Sequence, residues 1–212
     1  MRAPGAFLLL LVITLLMAPA SAQELSYARV KTSMGDIDLA LEAERAPVST
    51  ENFLTYATSG FYDQLIVHRV VPDRLIQGGG YNARGYPRAT MDPIENESAN
   101  GLTNARGTIA MARQADPDSA DSQWFINLAN NEELDRSGDL RAQAGYAVFG
   151  RVVAGMAVAD AIGAVPTGPG PDDTAFAESF PVEPVLILRV DLIKEAEVGA
   201  TQTPGPDPEA EE

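Results

Sequence analysis

Apolar and polar residues alternate along Tyr27–Thr32 (YARVKT) and again along Asp36–Leu41 (DIDLAL), with Ser33-Met34-Gly35 between them. A period of two sends successive side chains to opposite faces, so the pair predicts two strands joined as a hairpin. The period then changes. Pro47 with Ser49 or Thr50 supplies helix-start signals, Phe53, Leu54 and Tyr56 form an apolar stripe, and Gly60 marks a stop. Leu65–Val71 and Leu75–Gln77 read as strands around a Pro72-Asp73 turn, and Gly78–Gly80 as turn residues. Shorter β-type runs follow at Thr108–Ala112, Trp124–Asn127 and Ala147–Val153. A second short helix is expected over Met156–Ile162 after Gly155, and a last strand over Val185–Ile193. Many short strands, long connections and two helices predict a mainly β fold, an antiparallel sheet closed into a barrel.

The two ends do not belong to this pattern. Residues 1–22 open with Arg2, run apolar from Phe7 to Met17 and exit through Ala20-Ser21-Ala22. That apolar run is shorter than the ~20 residues a bilayer span needs, so a cleavable secretory signal is expected, with no membrane insertion afterwards. Residues 195–212 (EAEVGATQTPGPDPEAEE) are acidic and bear prolines, and are expected to be disordered. Between them residues 23–194 form one domain of 212 − 22 − 18 = 172 residues. The mature chain is expected to be an exported monomer, periplasmic in a bacterium, or else secreted.

Charge and cysteine content narrow the picture. With 15 Lys+Arg against 30 Asp+Glu the formal charge is −15, and loss of Arg2 makes it −16. Such a chain repels phosphate backbones, and a nucleic-acid partner is not expected. There is no cysteine, so core packing must hold the exported fold without disulfides.

The inventory of reactive groups is sparse. Without cysteine or a GxSxG elbow, and with the single histidine, His68, next to Arg69, no nucleophilic triad can be assembled, and zinc ligands are lacking. Asp116–Asp121 (DPDSAD) hints at calcium but lacks the central glycine and closing glutamate of an EF-hand loop. No metal or cofactor is expected. Asn96-Glu97-Ser98 is a glycosylation sequon only in a host that glycosylates. Alternation on the strand turns His68 away from Arg69 and into the core, and sets Trp124 and Phe125 on opposite faces. What remains is a set without a nucleophile: Arg69, Gln77, Gln123 and Phe125, with Leu75, Met111, Ala112 and Leu134 as apolar neighbours.

Three blocks carry a resemblance: IVHRVVPDRLIQGGG (66–80), NGLTNARGTIAMARQADPDSADSQWFIN (100–127) and GYAVFGRVVAGMAVADAI (145–162). In this order they resemble the cyclophilin-type peptidyl-prolyl cis-trans isomerases, above all bacterial exported members, over about Tyr27 to Ile193. The resemblance implies a closed eight-stranded antiparallel barrel capped by two helices, with an active groove on its outer face. It implies that Arg69 is the catalytic arginine, that Gln77 and Gln123 position the substrate backbone, and that Phe125 floors the proline pocket. Leu75, Met111, Ala112 and Leu134 match pocket wall and groove lining, and Tyr146 stands where many members have a groove-edge histidine. The implied activity is rotation of Xaa-Pro bonds in unfolded or partly folded polypeptides.

Two positions depart from that family pattern. Arg74 stands where most members have a pocket phenylalanine, and Glu133 where many eukaryotic members have a tryptophan that helps bind cyclosporin. An ion pair between them across the pocket rim is expected, with reduced turnover or altered peptide preference and weak cyclosporin binding. The alternative is a chaperone or assembly module of the same fold that holds proline segments with little catalysis. A ligand-holding barrel of the lipocalin kind would need an open apolar interior, against bulky residues such as Phe149 and Ile126.

Overall fold

The computed structural model describes residues 26–170 and 178–200; the leader-like residues 1–22 and most of the acidic tail lie outside the described residues. Eight strands close into a barrel: β1 (Ser26–Thr32), β2 (Gly35–Leu41), β3 (Leu65–Val71), β4 (Leu75–Asn82), β5 (Thr108–Met111), β6 (Trp124–Asn127), β7 (Val148–Ala154) and β10 (Val185–Ile193). Every pairing is antiparallel, in the order β1-β10-β3-β4-β6-β5-β7-β2, with β2 returning to β1. Two further strands of two residues each, β8 (Thr167–Gly168) and β9 (Phe180–Pro181), form a separate ribbon beside β3. Segments that short carry no readable period, and the sequence pattern did not predict them.

The interior is packed solid. Ile37, Leu39, Ile109, Trp124, Ile126 and Phe149 are all at most 1% exposed, which leaves no room for the ligand cavity of a lipocalin-like barrel. Helix α1 (Pro47–Thr58) covers one end with Phe53 and Tyr56, whose rings meet Tyr62 at centroid distances of 5.4 and 6.0 Å. Ser49 and Thr50 are buried within α1 and do not cap it. The Glu97 carboxylate instead accepts hydrogen bonds from the Val48 and Ser49 N–H groups at 3.0 and 2.7 Å, satisfying donors that the helix leaves open. Helix α2 (Met156–Gly163) closes the other end. Gly155 before it has φ +83, and a Cβ there would lie 2.2 Å from the Asp36 carbonyl oxygen, so no other residue fits.

Two expectations are corrected. Gly78–Gly80 do not form a turn but continue β4, which runs on to Asn82. The first tail residues are ordered: Glu195–Glu197 form a 3-10 turn, and residues 197–200 fold back onto β1 and β2. The reason is a buried ion pair. Arg29 Nε donates to Asp38 at 2.6 Å, and both residues are under 10% exposed. The spare Arg29 donors reach the carbonyls of Glu197 (2.7 Å) and Ala200 (3.2 Å), while the Gly199 N–H donates to Asp38 at 2.8 Å. Burial alone would raise the Asp38 carboxyl; the Arg29 hydrogen bond, the Gly199 N–H and the Arg29 charge together outweigh it and hold the group below the usual carboxylate range.

Candidate functional site

The site begins with a defect in strand pairing. Val67 pairs with Gly78 and Arg69 with Gln77, so β3 advances two residues while β4 advances one. Such a bulge interrupts the alternation of faces. Val67 and Val70 both point into the core, and the two residues between them share the outer side. Arg69 Nη1 donates to Gln77 Oε1 at 3.1 Å. His68 packs its ring edge-on against Tyr81 at 4.7 Å and shares a hydrogen bond with the Gln123 side chain. His68 is therefore buried and hydrogen-bonded as the sequence suggested, but it lies under the groove rather than opposite it.

A chain of amides links these groups, since Gln77 Nε2 donates to Gln123 Oε1 at 3.0 Å. His68, Gln123, Gln77 and Arg69 thus form one continuous hydrogen-bonded row across β3, β4 and the start of β6. The glycines of β4 make room for it. A Cβ on Gly80 would come within 2.6 Å of Gln123 Cγ, and one on Gly79, at φ +86, within 2.9 Å of Trp124 Nε1. Burial holds the His68 imidazole down at about 4, with the Arg69 charge adding to the effect and the hydrogen bonds that the ring donates to the Ile66 backbone and the Gln123 side chain opposing it. At neutral pH it is an uncharged strut.

Below the row lies an apolar patch on the outer wall. Leu75, Ala110, Ala112, Phe125 and Val148 are its buried members, with Val71, Leu102, Leu134 and Tyr146 half-buried against them. Register explains the set: Phe125 pairs with Gln77 and with Ala110, so all three share the outer face. Tyr146 stands edge-on to Phe125 at 5.5 Å. Trp124 points the other way, into the core, as alternation requires. Met111 goes with it. It pairs with Trp124 and belongs to the interior cluster at 2% exposure, so the expectation that Met111 lines the groove is corrected; Ala110 and Ala112 on either side are the outward residues.

The rim is charged. Arg74 Nη2 meets Glu133 Oε1 at 2.8 Å, with both side chains about half exposed. The backbone brings them together: the Arg74 carbonyl accepts from Leu128 N–H (2.9 Å) and from Asn131 Nδ2 (3.0 Å), and Asn131 is fixed by the buried Asn127 at 2.6 Å. The β3–β4 turn is thereby stitched to the loop that carries Glu133 and Leu134. An exposed pair of this kind contributes roughly 0.2–1 kcal/mol. Arg69 feels its neighbour: burial lowers its affinity for the proton and the Arg74 charge lowers it further, with Tyr146 opposing. Arg69 remains a cation throughout the physiological range.

The groove continues past Gln77 and Gln123 into a cleft of about 270 Å³ lined by residues that include Tyr81, Arg113, Ser119 and Asp121. The hydrophobic pattern does not mark Arg113 as a site residue. Its guanidinium lies 4.6 Å over the Tyr146 ring and donates to the carbonyls of Gln114, Ala144 and Gly145. Its position directly after Ala112 was the available signal, because the strand ends there and frees the next side chain. The DPDSAD run has a different use: Arg141 ion-pairs with Asp116 and Asp118, and no cluster suited to a metal occurs among the described residues. Asn96 of the sequon is tied inward, donating to the Gly145 and Pro117 carbonyls at 3.1 and 3.3 Å.

Comparison with known proteins gives a consistent result. The family model described as cyclophilin type peptidyl-prolyl cis-trans isomerase matches residues 27–192. A peptidyl-prolyl cis-trans isomerase of Acinetobacter baylyi is 44% identical over 177 residues, covering 84% of this chain and 90% of that protein. Peptidyl-prolyl cis-trans isomerase A of Dickeya dadantii is 45% identical over 178 residues, with the same coverage of 84% and 90%. A Cryptosporidium parvum cyclophilin type isomerase shares the fold with a TM-score of 0.64 at 22% identity, covering 81% of this chain and 99% of its own. That protein is also known in a structure determined in the presence of the dipeptide Ala-Pro, which matches with a TM-score of 0.63.

Proposed function

Because the chain belongs to the cyclophilin-type peptidyl-prolyl cis-trans isomerases, we propose that Arg69 is the residue through which it accelerates rotation about an Xaa-Pro bond seated over Phe125. The rotation is opposed by ~18–20 kcal/mol of amide resonance, and no bond is made or broken in it. As the amide twists, the proline nitrogen becomes pyramidal and gains a usable lone pair. A fixed N–H donor then helps the twisted state more than the planar one. Arg69 is half-buried and held by Gln77, and among the described residues no carboxylate pairs with it. That combination of a fixed and uncommitted cation beside an apolar floor is the observation that carries the reading.

The remaining residues have positional roles. Phe125, Leu75, Ala112 and Leu134 receive the proline ring, Tyr146 borders it, and Gln77 and Gln123 hold the peptide backbone with neutral amides while the carbonyl side turns. None of these steps calls on a metal or a cofactor. The substrates are proline-containing segments of unfolded or partly folded chains, where uncatalysed isomerisation takes tens of seconds or longer. The signal-like residues 1–22 support action on exported proteins, and sequencing the N-terminus of protein recovered from the periplasm checks this, Gln23 being the expected first residue.

Two-dimensional NMR exchange on a short Ala-Pro peptide tests the activity. Catalytic amounts of protein are expected to produce cis–trans exchange that saturates with peptide. Peptide binding without faster exchange would instead support a module that only holds proline segments.

A further inference from the structure

Three arginines gather at one groove of a chain whose formal charge is −15. Arg69 lies beside the apolar floor, Arg74 at its rim next to Leu75, and Arg113 over Tyr146 at the entrance to the adjoining cleft. Among the described residues no carboxylate comes within ion-pairing distance of Arg69 or Arg113. Arg113 spends its donors on backbone carbonyls, which leaves its charge uncompensated. Of the acids around the groove, Asp116 and Asp118 hold Arg141, Asp135 accepts from Asn104, and Asp121, which lines the cleft, accepts from the Ser122 N–H at 2.6 Å and keeps its negative charge there. Of these three arginines, Arg74 alone has an acidic partner among the described residues, Glu133.

The Arg74–Glu133 pair is half exposed and meets at 2.8 Å. Water already screens such a pair, so separating it costs little, and a carboxylate held at the rim by the rest of a bound peptide can take the place of Glu133 at a small net gain. Arg74 and Glu133 directly precede Leu75 and Leu134, which wall the pocket, so a proline ring over Phe125 brings the residues flanking it to this rim.

We propose that the groove prefers proline segments carrying an aspartate or glutamate within a residue or two of the proline, with Arg74 as the specificity-determining residue and Glu133 as the internal carboxylate that the substrate displaces. The proposal rests on the isomerase reading of the groove and adds the class of substrate. It explains why a position adjoining the apolar pocket holds a cation, and why that cation carries a replaceable counter-ion. Without Glu133, Arg74 would stand unpaired beside Arg69 and repel it.

The test uses three peptides that differ only in the residue after proline, Asp, Asn or Lys, with exchange rate and affinity both read by NMR for the parent, Arg74→Gln and Glu133→Gln. For the parent at low salt, the Asp peptide is expected to exceed the Asn peptide by about two- to fivefold in kcat/KM and the Lys peptide to fall below it. Glu133→Gln should widen the gap and Arg74→Gln should close it. Salt at ~0.5 M should shrink it in the parent. Equal handling of Asp and Asn peptides by the parent and by Arg74→Gln would overturn the proposal while leaving the isomerase reading intact. Absence of exchange with every peptide would overturn that reading, and the affinities would still decide the preference.

Discussion

His68 and Arg69 are consecutive in the chain and stand on the same side of the barrel wall, because the bulge between Val67 and Arg69 suspends the alternation of β3 for one step. The consequence is a neutral imidazole beneath the row of amides and a guanidinium at its end. Neither can be moved without disturbing Gln123 or Gln77.

The buried imidazole makes stability depend on pH. Its value of about 4 in the folded protein lies below the ordinary 6.5, so between these limits the unfolded chain binds the proton more readily. The His68 contribution is therefore complete above about pH 6.5 and is lost as the pH falls toward 4, by about 3 kcal/mol at most. Urea unfolding across this range should show the decline in the parent. His68→Gln should flatten that part of the slope, and an unchanged slope would contradict the assignment.

Gly80 tests the amide row without touching it. An added methyl meets Gln123 Cγ at 2.6 Å, while the backbone there is ordinary strand. Gly80→Ala is expected to push the Gln123 amide off Gln77 and lower kcat/KM by about tenfold or more, with the melting temperature within a few degrees of the parent. An active Gly80→Ala would show that the row is dispensable.

Gln77 is the hinge of the same row, accepting from Arg69 and donating to Gln123. Gln77→Leu keeps the bulk and removes both bonds, leaving Arg69 free to swing. Loss in kcat should exceed loss in affinity, because orientation matters most at the transition state. A loss confined to affinity would make Gln77 a binding residue only.

The ordered start of the tail has a structural role. Truncation after Lys194 removes the carbonyls of Glu197 and Ala200 from Arg29 and the Gly199 N–H from Asp38. Denaturant unfolding should reveal a loss of about 2–4 kcal/mol, since these bonds engage buried charges. Turnover should stay within about twofold, because β1 and β2 lie across the barrel from β4 and β6.

Much of this was legible in the residues. Alternation predicted most of the barrel strands to within a residue or two and separated Trp124 from Phe125, and the expected pair of Arg74 with Glu133 is present. Failures occurred where a local count depends on tertiary pairing. A bulge adds a residue without leaving a mark in the hydrophobic pattern, so strict alternation turns His68 to the wrong side. Gly78–Gly80 looked like a turn, because glycine signals freedom of the backbone equally when a strand needs it for close packing against Gln123 and Trp124. The family resemblance places Met111 in the groove together with Ala112, although one step along a strand reverses the face. The order in residues 195–200 comes from a buried ion pair on distant strands, which no composition of the tail reveals.

The most direct measurement compares the parent with Arg69→Ala in the NMR exchange of an Ala-Pro peptide, recording rate and affinity separately. Removing one donor aimed at a developing lone pair is expected to lower kcat by about 10²- to 10³-fold with Kd changed only a few-fold. Retention of the parent rate by Arg69→Ala, or a fall in rate that merely follows a loss of binding, would contradict the account.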